Sequence, residues 1–170
     1  YTDYNFSFLC LEENTRGAAE TLYITIKNIE KEEPVLCIDA DNFYNTDIVK
    51  LWGKKNNIFV FNDKNNEPIY SYIKNKDNFL IDIKEKEKIS NLACCGAYGF
   101  SSLKELKKYC QLVIENDIRD KEEFYLSTVI KEMLKNGVKF NFTEIYNKDY
   151  FTLGTPKNVK IFEKTLLFDL

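Results

Sequence analysis

An α/β fold with a largely parallel sheet is what this sequence predicts, on three observations. Apolar runs of strand type alternate with segments of helical periodicity along most of the chain. One of them, Pro34-Val-Leu-Cys-Ile-Asp39, is continuously apolar and ends in acid, as a strand covered on both faces does. The third is size: 170 residues at 44% hydrophobic bury roughly 70% of the surface of the extended chain, enough for one core without staples.

The elements follow in order. Residues 4–11 read as a first strand, and Glu12 to Gly17 as a turn-rich loop. Ala18, Leu22, Ile26 and Ile29 recur on one helical face, and the segment ends before Pro34. The apolar strand at 35–38 comes next, then a short helix over 46–52. Three β-rich runs, 58–61, 69–73 and 79–83, are separated by Asn, Lys and Asp turns. A polar stretch at 84–91 leads into the small apolar run 92–100. Ser102-Leu-Lys-Glu105 has the form of a capping box, in which serine accepts from the third helical amide and the glutamate reaches back. It opens a helix with Leu103, Leu106, Cys110, Val113 and Ile114 on one side. A second helix spans about 122–135 and stops at Asn136-Gly137. Strands at 138–145 and 150–153 and a last strand at 165–170 complete the expectation.

Composition removes several chemistries. There is no histidine, which excludes a Ser-His-Asp triad, a Cys-His pair and His-ligated zinc within this chain. Net charge is -3, and Arg16 and Arg119 are the only arginines, so no basic face is available for a nucleic acid polymer. The five cysteines, Cys10, Cys37, Cys94, Cys95 and Cys110, are odd in number and lack C-x-x-C spacing, so they read as reduced core residues of a cytoplasmic protein. No apolar run is long enough to span a membrane, and no signal-peptide pattern opens the chain. Both ends fall inside strand-like runs, the pattern of a segment of a longer polypeptide.

The sharpest chemical feature is Asp39-Ala-Asp41-Asn42 at the end of the apolar strand. In open α/β sheets, ligands sit beyond the carboxyl ends of strands. Carboxylates spaced i, i+2 on such a loop hold a hard divalent ion, and Mg²⁺ is typically held by one or two carboxylates plus substrate phosphates. Set against this, a D-x-D arises readily by chance among 27 acidic residues. Arg16-Gly17-Ala18-Ala19 precedes a helix, whose orphan amides favour an anion, although glycine there is more often only a turn. Glu85 to Lys88 alone is a solvated charge run, Gly154-Thr-Pro156 an ordinary turn, and the tyrosines and phenylalanines core.

Taken in order, these segments resemble the sugar-1-phosphate nucleotidyltransferases, the nucleoside-diphosphate-sugar pyrophosphorylase superfamily, in its capsule-biosynthesis branch. The matching pieces are Thr15-Arg-Gly-Ala-Ala-Glu-Thr21, Val35-Leu-Cys-Ile-Asp-Ala-Asp-Asn-Phe43, Pro68-Ile-Tyr-Ser-Tyr-Ile73 and Ile83-Lys-Glu-Lys-Glu-Lys-Ile-Ser-Asn91. Gly96-Ala-Tyr-Gly-Phe100, Glu123-Phe-Tyr-Leu-Ser-Thr128 and Leu153-Gly-Thr-Pro156 complete them. The resemblance implies a Rossmann-like, GT-A-like domain over residues 1–163, a mostly parallel mixed sheet flanked by helices, without the family's N-terminal glycine-rich loop. Residues 164–170 resemble the first strand of a haloacid-dehalogenase-like phosphatase domain, with Asp169 in the place of its nucleophile.

The resemblance further implies transfer of a nucleotidyl group from an NTP to a sugar 1-phosphate or similar polar phosphate, releasing pyrophosphate, in glycan precursor synthesis. Asp41 falls on the metal-binding aspartate with Asp39 beside it, and Mg²⁺ is the implied cofactor. Asp41 and Lys86 fall on catalytic positions. Glu12 and Gly17 fall where the base is read, Ser71 where a glycine touches the sugar, and Glu85 with Lys86 where the sugar and its phosphate are held. Thr152 departs from the pattern: many members carry a second metal-binding aspartate there, and Asp149 is the nearest substitute. A D-x-D glycosyltransferase and a non-catalytic sugar-nucleotide-binding module are the alternatives. The implied partners are an NTP and a sugar phosphate, with neither nucleic acid polymer nor membrane, and the reading admits a homo-oligomer and a fused phosphatase-like domain.

Overall fold

The structure is a computed structural model that describes residues 5–168. Helix α1 (Ala18–Ile26) is followed by strands β1 (Val35–Ile38) and β2 (Asn42–Tyr44), helix α2 (Ile48–Trp52), and strands β3 (Asn57–Asn62), β4 (Ser71–Lys76), β5 (Phe79–Glu85) and β6 (Leu92–Phe100). Helices α3 (Leu103–Glu115) and α4 (Leu126–Lys135), strand β7 (Asn141–Glu144), a 3₁₀ turn at Asn147–Asp149, strand β8 (Tyr150–Thr152) and helix α5 (Pro156–Phe168) complete the chain.

The main sheet has six strands in the order β1-β6-β3-β7-β5-β4, and β2 and β8 form a separate antiparallel pair. Among the described strands only β3 and β7 pair in parallel; the other pairings are antiparallel. β4 also touches β6, Tyr72 opposite Ala93, so the chain of pairings β6-β3-β7-β5-β4 closes on itself. The expectation of a mostly parallel sheet is therefore corrected. Continuous apolar runs report burial on both faces, and here both faces are covered, whichever way the strands run. Phe100, Leu106, Val113, Ile130 and Met133 belong to the core shared with α1, α3 and α4. Ile48, Trp52, Phe59, Tyr72, Cys95 and Tyr150 form the core on the other face.

Four further expectations are corrected. Residues 5–10 form no strand, and Phe6, Phe8, Leu9 and Leu11 are exposed; an alternating run becomes a strand only where a partner edge is present. Tyr4 lies outside the described residues. The stretch 165–168 is the end of α5 rather than a strand, and Asp169 and Leu170 lie outside the described residues. Cys10 is exposed, whereas Cys94, Cys95 and Cys110 are buried as expected and all five thiols are free. The cap of α3 also differs in its carboxylate. Ser102 Oγ accepts from the Glu105 amide at 3.0 Å, but it is Glu32 that takes the Ser102 hydroxyl at 2.6 Å and the Lys104 amide at 2.8 Å. That exchange ties the segment before β1 to α3.

Candidate functional site

The loop after β1 is fixed at two points. The Asp39 amide donates to the Gly96 carbonyl of β6 at 2.8 Å, and the Asp41 carbonyl accepts from the Leu153 amide, just past β8, at 2.7 Å. Asn42 is paired with Thr152 across β2 and β8, and its side-chain oxygen accepts from the Tyr150 hydroxyl at 3.1 Å. The D-x-D pair is thus suspended between the main sheet and the small one. Gly96 makes the first attachment: its φ is +77°, and a Cβ there would stand 2.6 Å from Asp39 Oδ2 and 2.4 Å from Asn42 Nδ2. Only glycine lets this carboxylate lie against the strand.

Asp39 and Asp41 open onto a cavity of about 480 Å³, also lined by Ser71, Glu85, Ser127 and Thr152 and by the tyrosines at 70, 98, 125 and 150. Glu85 is buried at the end of β5. Its Oε2 accepts from Ser71 Oγ at 2.5 Å and from Ser127 Oγ at 2.8 Å, so a buried carboxylate is held by hydroxyls rather than by a cation. No lysine or arginine is among the described residues lining this cavity. Lys86 stands at its margin: Nζ donates to the Tyr125 hydroxyl at 3.0 Å and lies 5.1 Å from the ring centroid. The Lys86 backbone is left-handed at φ +49°, with its amide on the Tyr70 carbonyl. That turn sends Glu85 inward and its neighbour toward Tyr125.

The acidic lining leaves a mark on Asp39. Burial first, and then the charges of Asp41 and Glu85, raise its pKa from 3.8 to about 6. A carboxyl with a raised pKa binds its proton more tightly in the folded chain than in the unfolded one. Its contribution to stability is therefore complete below pH 3.8 and is lost as pH rises through about 6. Urea midpoints measured from pH 4 to pH 7 are expected to fall for the natural chain relative to Asp39→Asn, which removes the titration. Parallel profiles would show that neither burial nor the neighbouring charges raise the Asp39 pKa.

Most, but not all, of the residues named from the sequence meet here. Asp39, Asp41, Ser71 and Glu85 share the cavity, with Lys86 at its edge. Gly17 does not line it, although Ala18 does; Gly17 sits against the backbone of Phe124. Glu12 lies in a separate cleft with Arg16 and Glu20. Thr152 lines the cavity, whereas Asp149 is absent from its lining and offers its backbone carbonyl to the Asn45 amide. Sequence reasoning assigned no role to Tyr125, Ser127 or Gly96, although each lies in a quoted segment. It took tyrosines as core, and a hydroxyl at the end of a buried ring leaves no separate sequence signal.

The residues suit a hard cation completed by ligand oxygens. Asp39 and Asp41 present carboxylates to one cavity, and the Asp39 pKa is raised by burial first and then by the charges of Asp41 and Glu85. Among the described residues, no group of three or more Cys, Asp and Glu side chains is placed to hold a metal by itself. Two carboxylates plus substrate phosphates is the arrangement Mg²⁺ takes.

No protein-family model matches this sequence, and no curated protein matches it. Solved structures do. The nucleoside-diphosphate-sugar pyrophosphorylase of Vibrio cholerae RC9 superposes with a TM-score of 0.75 at 19% identity, covering 91% of this chain and 67% of that one. The inositol-1-phosphate CTP transferase of T. maritima gives 0.66 at 15% identity, covering 87% and 60%. The CTP:phosphocholine cytidylyltransferase of Streptococcus pneumoniae gives 0.66 at 12%, covering 89% and 64%. The chain thus has the α/β fold of these nucleotidyltransferases and spans 60% to 67% of their lengths.

Proposed function

We propose that this chain is the core of a Mg²⁺-dependent nucleotidyltransferase, joining an NTP to a sugar 1-phosphate or a similar polar phosphate. The observation that carries the reading is the acidic cavity, with no lysine or arginine among its described lining residues, in which the D-x-D carboxylates and the Glu85–Ser71–Ser127 cluster face one space.

In the proposed reaction an acceptor phosphate oxygen attacks the α-phosphorus of the NTP. The bond from that phosphorus to the bridging oxygen breaks, and pyrophosphate leaves with the electron pair. A phosphate is already ionised at pH 7, so no general base is required, which agrees with a chain without histidine. Asp39 and Asp41 would hold the Mg²⁺, which when bound neutralises phosphate charge. Glu85, its Oε2 occupied by two serines, would accept from acceptor hydroxyls and set their orientation. The ammonium of Lys86, one side-chain swing from Tyr125, would stabilise negative charge on phosphoryl oxygens. Formation of glycan precursors such as those of capsules, in the cytoplasm, is the setting we propose; no helix among the described residues is long and apolar enough to cross a membrane.

The test is pyrophosphate release from the protein with its native flanking sequence, across the four NTPs and several phosphate acceptors, with and without Mg²⁺. Acceptor-dependent release that needs Mg²⁺ supports the reading. Hydrolysis of a nucleotide sugar with no NTP requirement would turn it toward a glycosyltransferase. Thr152 in the cavity favours one second reading, a non-catalytic sugar-nucleotide-binding module, and saturable binding without turnover would establish it.

A further inference from the structure

The acidic cavity contains a buried carboxylate that no cation of the chain contacts. Glu85 is 8% exposed, and its Oε2 is taken by the hydroxyls of Ser71 and Ser127. Hydroxyls supply hydrogen bonds but no counter-charge. No ion pair among the described residues includes Glu85, and the neighbouring Lys86 ammonium is turned to the Tyr125 hydroxyl. The second oxygen, Oε1, has no hydrogen-bond partner among the described residues. Among those residues the one buried side-chain nitrogen or oxygen without a partner is Asn57 Nδ2, so Glu85 Oε1 is accessible. The space open to it is the cavity that Glu85 lines.

Tyrosines line the same cavity, Tyr70, Tyr125 and Tyr150 among them. The Phe61 ring centroid stands 5.1 Å from that of Tyr70 and 4.7 Å from that of Tyr150, so the two tyrosines are packed about one ring. Aromatic faces carry partial negative charge and attract cations, and Tyr125 already has the Lys86 ammonium 5.1 Å from its centroid. In the proposed reaction Asp39 and Asp41 are engaged by Mg²⁺ and Lys86 by phosphoryl oxygens, which leaves Glu85 for the acceptor. A hydroxyl meeting Oε1 would leave the buried charge uncompensated, whereas an ammonium both donates and neutralises. Given that reaction, on which this rests, we infer that the acceptor is a phosphate ester whose other end carries a protonated amine, its ammonium donating to Glu85 Oε1 beside the tyrosine rings.

The experiment is isothermal titration calorimetry on the protein with its native flanking sequence, at pH 7 with Mg²⁺. Two esters of equal size are compared: 2-aminoethyl phosphate, whose amine is protonated at that pH, and 2-hydroxyethyl phosphate. The aminoethyl ester is expected to bind at least about tenfold tighter. Glu85→Gln keeps the shape and removes the charge, and should bring the two affinities within about threefold of each other. Tyr70→Leu, at a half-buried position, should reduce the preference as well, and it carries the test if the buried glutamine variant fails to fold. Equal affinities in the natural chain overturn the inference, as does the absence of saturable binding of either ester. A preference unchanged in the folded variants also overturns it. Pyrophosphate release with the same two esters separates this from the reading beneath it. Equal Mg²⁺-dependent release would keep the nucleotidyl transfer and overturn the amine, whereas amine-selective binding without release from any NTP would keep the ammonium site and overturn the transfer.

Discussion

Gly17→Ala is expected to destabilise the chain by roughly 3 kcal/mol or more, lowering its melting temperature by about 6–12 °C for a domain of this size. Two independent costs combine. Gly17 has φ +140° and ψ 172°, a region that side chains other than glycine scarcely enter. A Cβ there would also stand 2.6 Å from the Phe124 carbonyl oxygen and 2.7 Å from its nitrogen. Those are backbone atoms, and they cannot swing aside. The contact is part of a junction: the Phe124 amide donates to the Arg16 carbonyl and the Ala19 amide to the Phe124 carbonyl, both at 2.9 Å. Arg16 and Arg119 each hold a guanidinium within 5 Å of the Phe124 ring centroid, at 4.8 and 4.9 Å. The start of α1 is thereby locked to the segment entering α4, which carries Tyr125 and Ser127 into the acidic cavity. Thermal melts of the two proteins decide the matter, and a shift below about 2 °C would mean that the junction opens at little cost.

The same junction shows where sequence reading succeeds and where it stops. The turn before α1 was legible because glycine before an apolar periodic run is a local signal. That the turn must be glycine because Phe124 lies against it was not, since the two residues are far apart in sequence. Helices α1 to α4 were legible within a few residues, but α5 was not, its end having been read as a strand; the strand over 35–38 was found because it is apolar and ends in acid. Strand direction was hidden: β6 is buried along nearly its whole length, so it shows no alternation from which one covered face could be inferred. In the site, Asp39 and Asp41 stood out as acids at the end of an apolar run, whereas Glu85 read alone as part of a solvated charge run and gained a role only from the resemblance. Ser127 did not stand out, because a serine within an amphipathic helix looks the same whether it faces solvent or a buried carboxylate. Glu12 is the opposite case: an acid in the right order along the chain that the fold places in another cleft.

Asp41→Ala is expected to cost on the order of 10²–10³ in the rate of acceptor-dependent pyrophosphate release while leaving the fold intact. The fold survives because Asp41 holds the structure through its backbone carbonyl, which accepts from Leu153 and remains in alanine; the side chain is exposed on the cavity. The rate falls because, on the proposed reading, one of two carboxylates for Mg²⁺ disappears and Thr152 cannot take its place. A neutral hydroxyl contributes no charge to a hard cation. The loss should shrink as Mg²⁺ is raised if it lies in metal affinity, and persist at saturation if it lies in the orientation of bound phosphates. Thr152→Asp supplies the converse arm. It adds a carboxylate near Asp41, since a Cβ built on Gly154 would stand 2.5 Å from Asp41 Oδ2 and 3.9 Å from the Thr152 hydroxyl, and should lower the Mg²⁺ concentration needed for half-maximal rate. Full activity in Asp41→Ala would remove the D-x-D pair from the chemistry and leave the acidic cavity as a binding site alone.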